Sequence, residues 1–230
     1  VFLDQWLGKV FDALDALDLW KDTLVVLTTD HGTWNGDHGR MGKLGTHQYD
    51  GCAHIPFIMC HPEAGHGQRR DQLVQLIDLY PTVLSAVGRP LPDKRPLHGI
   101  DLLPVLENPH APTRACALMG MFGKSVTITD GNWTLHQSPV DNNEPLYWHG
   151  YHLARFIGYE LGPFENSRRL VSNCSSWDAH TSLHDKRSDP NELVNLAERE
   201  EDMLGSMQDR LRAELVRLSA PAWQLERLGL

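Results

Sequence analysis

The chain has 230 residues, 41% of them apolar, and a formal charge of −9 from 21 Lys and Arg against 30 Asp and Glu. A pI near 5.8 argues against nucleic acid as a bulk partner, because phosphate binding needs clustered cations. No apolar run approaches the roughly 20 residues that span a bilayer, and the length suits one large domain or two small ones.

The sequence begins Val1-Phe2-Leu3 without an initiator Met, shows no signal peptide and enters a helical pattern at once, so a missing N-terminal portion is expected. Phe2, Leu3, Trp6, Leu7, Val10, Phe11, Leu14 and Leu17 recur at steps of three and four and predict one apolar helical face. Leu24-Val25-Val26-Leu27 reads as a fully buried strand; helix followed by buried strand is half of a parallel βαβ arrangement. Ile55 to Cys60 is a second short apolar run, with Pro56 at its start. Asp71 caps a predicted helix through Leu73, Leu76, Ile77 and Leu79, interrupted at Pro81-Thr82 and continued by Val83, Leu84 and Val87. Val126–Thr129 and Trp133–His136, joined by Asp130-Gly131-Asn132, predict a β-hairpin. Residues 138–182 are polar and aromatic without an assignable pattern, and Leu183-His184-Asp185 reads as a last strand edge. Asp189-Pro190 is a helix-start signal, and Leu204, Met207, Leu211, Leu215 and Leu218 mark an amphipathic C-terminal helix. The composition shifts near residue 112, which divides the chain into residues 1–112 and 113–230.

Cys52, Cys60, Cys116 and Cys174 are widely spaced with no CxxC pair, which favours free thiols over a zinc site or a disulfide framework. Asn132-Trp133-Thr134 and Asn173-Cys174-Ser175 match the glycosylation pattern, which matters only in a eukaryotic secretory setting.

The densest chemistry follows the first strand: Thr28-Thr29-Asp30-His31-Gly32-Thr33-Trp34-Asn35-Gly36-Asp37-His38, with Gly39 and Lys43 behind. Ligands of open α/β sheets bind outside the carboxyl ends of strands, and glycines allow a tight loop close to a small ligand. Carboxylate, imidazole and ammonium together suit a metal ion and an oxyanion held by it. Asp30 is the candidate metal ligand by charge and position; the alternative is a turn with a helix-capping acid. His47, four residues after Lys43, reads either as a pocket residue contacting substrate or as a loop histidine. His38 is expected to orient the loop by hydrogen bonding, and Trp34 either walls the pocket or covers the sheet edge.

These residues resemble the sulfatases of the alkaline-phosphatase-like superfamily, which also holds phosphonate monoester hydrolases and phosphodiesterases. The family pattern T-[ST]-D-[HN]-G, G-[DE]-H-G and Lys appears as Thr28 to Gly32, Gly36 to Gly39 and Lys43. It continues in order through Ile55-Pro56-Phe57-Ile58, Asp78-Leu79-Tyr80-Pro81-Thr82, His98-Gly99-Ile100-Asp101-Leu102, and Leu183-His184-Asp185 with Asp189-Pro190-Asn191-Glu192 to Asn195-Leu196. Two positions depart from it: His184 stands where an aromatic is usual, and Asp50 follows Tyr49 where many members have Glu.

The resemblance implies the C-terminal part of a doubly wound α/β sheet (residues 1–112) plus a small α+β subdomain with antiparallel strands and a long helix (residues 113–230). It makes His31 a second metal ligand beside Asp30, and it sets Lys43 against the sulfate or the leaving oxygen as a positive point charge. Ca²⁺ is the metal it implies, although imidazole suits Mn²⁺ or Zn²⁺ better. The implied substrate is an aryl, carbohydrate or other small-molecule sulfate ester. The family's nucleophile motif, C/S-x-P/A-x-R, whose Cys or Ser becomes formylglycine, is absent from this sequence, as are the paired upstream aspartates. The expected function is therefore a sulfatase whose nucleophile lies outside these residues. The alternatives are a phosphodiesterase or phosphonate monoester hydrolase with Mn²⁺ or Zn²⁺, and a non-catalytic paralogue or inactive fragment.

Overall fold

In the computed structural model the residues described are 1–42, 47–65, 67–91, 97–149, 160–161, 168–172 and 180–230. They divide into two compact units: residues 1–30 with 55–114, and residues 31–54 with 115–230. The sequence places a boundary near residue 112; by contacts, the loop 31–54 goes with the second unit.

The first unit opens with helix α1 (Phe2–Ala16), where the apolar periodicity predicts a helix. None of its residues is buried, and Phe2, Leu3, Trp6, Val10 and Phe11 lie on its exposed surface. Strand β1 (Val25–Thr28) is half-buried along its whole length rather than fully buried, because among the described residues it pairs on one edge only. The second unit contributes β2 (Trp34–Asn35), β3 (Met41–Gly42) and the short helix α2 (Asp50–Ala53) before the chain returns as β4 (Phe57–Cys60).

Strands β1 and β4 are neighbours in one sheet. They pair antiparallel, Val25 opposite Cys60 and Thr28 opposite Phe57. A parallel return needs a crossover that packs back on the sheet, usually a helix. Residues 29–54 supply only the four-residue α2.

Phe57 and Met59 of β4 pack on a small core of Leu102, Val105 and Ala111 with Val74 and Ile100. That core is organised by Asp78, which is fully buried. The predicted helix from Asp71 instead begins later, as α3 (Leu79–Ala86). Pro81 falls in its first turn, where a missing N–H breaks no ladder. Asp78 accepts from the backbone N–H of Gln75 (2.7 Å) and Ile100 (2.9 Å) and takes both terminal nitrogens of Arg114 at 2.6 and 2.5 Å. Thr82 donates to the Asp78 carbonyl and accepts from Leu102 N–H, just before α4 (Leu103–Glu107). Gly99 completes the joint: a Cβ there would lie 2.1 Å from the Ile77 carbonyl oxygen.

In the second unit four strands form an antiparallel sheet in the order β11-β7-β6-β5: β5 (Ala117–Gly120), β6 (Val126–Thr129), β7 (Trp133–Gln137) and β11 (Ser182–Asp185). The predicted hairpin is present, with Ile128 opposite Leu135. Asp130 turns it by accepting from the N–H groups of Asn132 and Trp133. The predicted last strand is an edge strand, Leu183 opposite Leu135. Ile128, Leu135 and Leu183 share one face and pack on Met207, Leu211 and Leu215 of α5 (Glu201–Arg217).

Asp189-Pro190 does not start that helix. Glu192 adopts φ +55°, while Asp189 accepts from Val194 N–H and Asn195 accepts from Leu183 and Ala197 N–H. Side chains thus take up the backbone groups that a helix would have used. Within the unpatterned stretch, β8 (Tyr147–His149), β9 (Glu160–Leu161) and β10 (Arg168–Ser172) form a separate three-stranded sheet in the order β8-β10-β9. The chain ends in α6 (Ala222–Arg227), whose buried Arg227 binds the Asn143 side chain and the Lys124 carbonyl. Cys52, Cys60 and Cys116 are free thiols, as expected; Cys174 lies outside the described residues.

Replacing Asp78 by Ala should strand a buried guanidinium and several N–H groups and cost about 3 kcal/mol or more. Gly99→Ala should cost about 2 kcal/mol by forcing Cβ into a carbonyl. Urea denaturation of both variants against the parent measures the two losses.

Candidate functional site

Asp30 lies two residues past the end of β1, and its side chain is exposed. Thr29 donates to its carboxylate at 3.3 Å. His31, also exposed, opens the loop of the second unit, and its Nδ1 lies 2.8 Å from the Gly32 carbonyl oxygen. A carbonyl only accepts, so this contact is a hydrogen bond when Nδ1 carries the proton, which leaves the ring lone pair on Nε2. Metal-ligating imidazoles are held in this way, by donation from the other nitrogen to a carbonyl or carboxylate. Lys43 lies outside the described residues.

Gly32 N–H donates to the Cys52 carbonyl at 2.8 Å, and a Cβ on Gly32 would fall 2.2 Å from the Gly51 oxygen. Only glycine permits this closeness to α2. β2 and β3 close a small hairpin, Trp34 opposite Gly42. Trp34 is buried and packs edge-on against Tyr49, with Gly51 beneath its ring, so it fills the interior of the loop. His38 holds φ +51° and stacks on Tyr49 at 3.9 Å between ring centres, 8° from parallel. It orients the loop through this stack.

His47 is 3% exposed. Its Nε2 donates to the His180 carbonyl (3.2 Å) and its Nδ1 accepts from the Ser125 hydroxyl (2.9 Å). Both ring nitrogens are engaged inside the unit. Its ring stacks on His136 at 4.8 Å, and Tyr49 meets His136 and His184 edge-on. Thr127, Thr134, His136, Ser182 and His184 all point to the sheet face opposite α5, and all are buried. Thr127 bonds His136 Nδ1 at 2.8 Å, and Glu192 approaches His136 Nε2 at 3.7 Å.

Burial and the neighbouring His136 push the His47 pKa down to about 3; the same causes bring His184 to about 4. Burial also holds His136 below its usual value. Burial pushes the Glu192 carboxyl up, but His136, the Asp50 N–H and Lys186 outweigh it and hold it ionised. The cluster is therefore three neutral imidazoles and one carboxylate.

Asp50 joins this cluster to the loop. Its N–H donates to Glu192 Oε2 at 2.8 Å, and its carboxylate receives Lys186 Nζ at 2.7 and 2.6 Å. Glu192 comes from the D-P-x-E segment legible in the sequence. Lys186, His136 and Ser125 carry no sequence signal beyond their positions beside strands. Among the described residues no group of three or more His, Cys, Asp or Glu side chains could hold a metal ion.

The sequence model of the Sulfatase family matches residues 1–89. Arylsulfatase K of dog is 29% identical over 215 residues, covering 91% of this chain and 34% of its own length. Arylsulfatase K of Xenopus laevis is 27% identical with the same coverage. Residues 1–89 thus match the sulfatase family, and the likeness to these sulfatase relatives runs over most of the chain. It spans about a third of the length of these curated relatives and corresponds to their C-terminal part. Among solved structures, a protein in complex with its substrate D-glucosamine-2-N,6-O-disulfate is 20% identical with a TM-score of 0.71, over 96% of this chain and 39% of the other. The phosphonate monoester hydrolase of Agrobacterium radiobacter is 22% identical with a TM-score of 0.64, over 94% and 39%. The fold is that of the alkaline-phosphatase-like α/β enzymes, with antiparallel sheets and a C-terminal helix. The sulfatase motifs that lie beyond the first loop are structural here: Asp78, Thr82, Gly99, Glu192 and Asn195 each secure backbone.

The lowered histidine pKa values fix a pH dependence. Unfolded, these imidazoles take up protons as pH falls through about 6.5; folded, His184 and His47 resist until about 4 and about 3. The unfolded state binds more protons across that window, so stability is level above about pH 7 and declines as pH drops from about 6.5 toward 3. Urea midpoints across this range should follow that slope, and His184→Asn should flatten it.

Proposed function

We propose that the chain carries the metal-binding and cation-bearing loop of a sulfate-ester hydrolase. The observation that carries this reading is the run Thr28-Thr29-Asp30-His31-Gly32 at the end of a strand, with the His31 imidazole tied through Nδ1 to the Gly32 carbonyl. Sulfatases as a family use a divalent metal and a formylglycine nucleophile. In this reading a carboxylate oxygen of Asp30 and Nε2 of His31 are the two donors this chain offers. A bound divalent cation, Ca²⁺ in the leading version, neutralises charge on the oxyanion and lowers the pKa of the nucleophile.

Hydrolysis of a sulfate ester needs an in-line nucleophile, neutralisation of the oxyanion, and help for the leaving oxygen. Lys43 places a compact ammonium on the oxyanion or the leaving oxygen, where a point charge suits tetrahedral geometry. His47 holds the chain that follows Lys43 through its bonds to Ser125 and His180. The nucleophile comes from outside these residues, since no C/S-x-P/A-x-R motif occurs in them. The substrate class is a small-molecule, aryl or carbohydrate sulfate; the neighbour that holds a sulfated glucosamine supports a sugar.

A second reading, a phosphodiesterase or phosphonate monoester hydrolase with Mn²⁺ or Zn²⁺, is supported by the Agrobacterium neighbour. It is also supported by a multifunctional alkaline phosphatase superfamily protein of Trinickia caryophylli, 37% identical over 108 residues.

The open reading frame that encodes these residues, expressed in full, is assayed on an aryl sulfate, an aryl phosphonate and a phosphodiester. Sulfate turnover at the highest kcat/KM, abolished by chelation, is the expected result; a preference for phosphorus esters moves the assignment to the second reading. His31→Ala and Asp30→Ala should each lower metal affinity about 10–100-fold. Lys43→Ala should lower kcat by about 10²-fold. Residues 1–230 alone should turn over no aryl sulfate, and measurable activity would show that the nucleophile lies within them.

A further inference from the structure

His31 is exposed, so little packing holds it. One contact that holds it is to its neighbour. The Gly32 peptide is the reference for both backbone and ring: its N–H bonds Cys52 of α2, and its carbonyl bonds His31 Nδ1. The position of the imidazole therefore follows the position of α2.

α2 is held at its first residue from two sides. Asp50 N–H donates to Glu192 Oε2, and the Asp50 carboxylate grips Lys186 Nζ. Both partners stand on fixed ground. Lys186 follows the last residue of β11, and its own N–H bonds the Asn132 carbonyl in the β6–β7 turn at 2.8 Å. Glu192 is buried, and its backbone N–H bonds the Asp189 carbonyl at 3.0 Å. Lys186 Nζ and the Asp50 carboxylate are partly shielded, with 16% and 27% of their side chains exposed. An ion pair so shielded is screened less than one on the open surface.

We infer that Lys186 and Glu192 are positioning residues for His31: a clamp on Asp50 that sets α2 against the sheet, and α2 in turn sets the Gly32 peptide and the imidazole. The inference rests on the reading of His31 as a metal donor. Functional groups held to within about 0.5 Å need such a supporting layer, and here it comes from the C-terminal sheet. Shortening the usual Glu to Asp at position 50 fits the clamp, because the ε-ammonium of Lys186 reaches the shorter carboxylate directly.

The test uses ¹⁵N-labelled protein and amide hydrogen exchange, which reads local opening. In Lys186→Met the Gly32 amide should exchange about tenfold faster, and so should those of Cys52 and His54, while Ile128 and Leu135 in the β6–β7 ladder stay at the parent rate. Lys186→Arg should restore the parent pattern. Glu192→Gln should repeat the effect; if it does not fold, Lys186→Met, whose partner carboxylate water can reach, carries the test alone. An unchanged Gly32 rate overturns the clamp. A uniform rise at all these amides overturns it as well, because that is global destabilisation. Mn²⁺ broadening of the His31 ring resonances is read in parallel. Broadening that weakens at least about threefold in Lys186→Met supports the inference, the loss in metal affinity that supporting hydrogen bonds commonly carry being larger still. No broadening in the parent protein overturns His31 as a donor, and the exchange rates then decide the clamp by themselves.

Discussion

A sheet whose two faces are both buried, one apolar and one lined with hydroxyls and imidazoles, governs the second unit. The apolar face finds α5. The polar face, Thr127, Thr134, His136, Ser182 and His184, finds the segment from His47 to Asp50. Buried polar groups are costly unless paired or neutral. Here the imidazoles stay uncharged, His47 stacks on His136, Tyr49 meets the cluster edge-on, and one carboxylate remains whose charge is answered by an N–H and a nearby ammonium. The cover has to be polar and aromatic, and it has to be long enough to carry His31 at one end and Asp50 near the other.

The first unit solves a different problem by similar means. Two short motifs, far apart in the chain, meet at a buried carboxylate. Asp78 collects two backbone N–H groups and a guanidinium, and Thr82 relays a hydrogen bond from its own helix to the start of the next. Gly99 has no Cβ because a carbonyl occupies that space. Motifs that identify the sulfatase family are thus of two kinds. One run crowds acid, imidazole and glycines behind β1, and the others fasten backbone within their own unit.

Periodicity made α1, α5 and the β6–β7 hairpin legible, since each has one apolar face and a turn or breaker at its end. The loop behind β1 stood out because acid, imidazole and glycines crowd behind a strand. Strand direction was not, because nothing in Val25 to Thr28 or Phe57 to Cys60 encodes which way a partner runs. Asp189-Pro190 misled because a helix-start pattern also serves a loop in which Asp189 and Asn195 bind backbone themselves. His47 stands out in sequence only by its distance to Lys43; its bonds to Ser125 and His180 span 78 and 133 residues and leave no local signal. The alternation Thr-Ile-Thr and Thr-Leu-His carries polar side chains on one face of the hairpin. Only the tertiary cover makes it an interior.

The loop from His31 to His54 interrupts the first unit in sequence but takes its seat on the second. A recombination point placed at residue 112, where composition changes, would therefore separate the loop from the surface that shapes it. The two would evolve as one heritable piece: a change at His136 or Lys186 in the tail is answered at Tyr49 or Asp50, more than eighty residues upstream. Grafting a foreign C-terminal subdomain onto this enzyme family succeeds, on this view, only when the donor's own strand-to-strand loop travels with it.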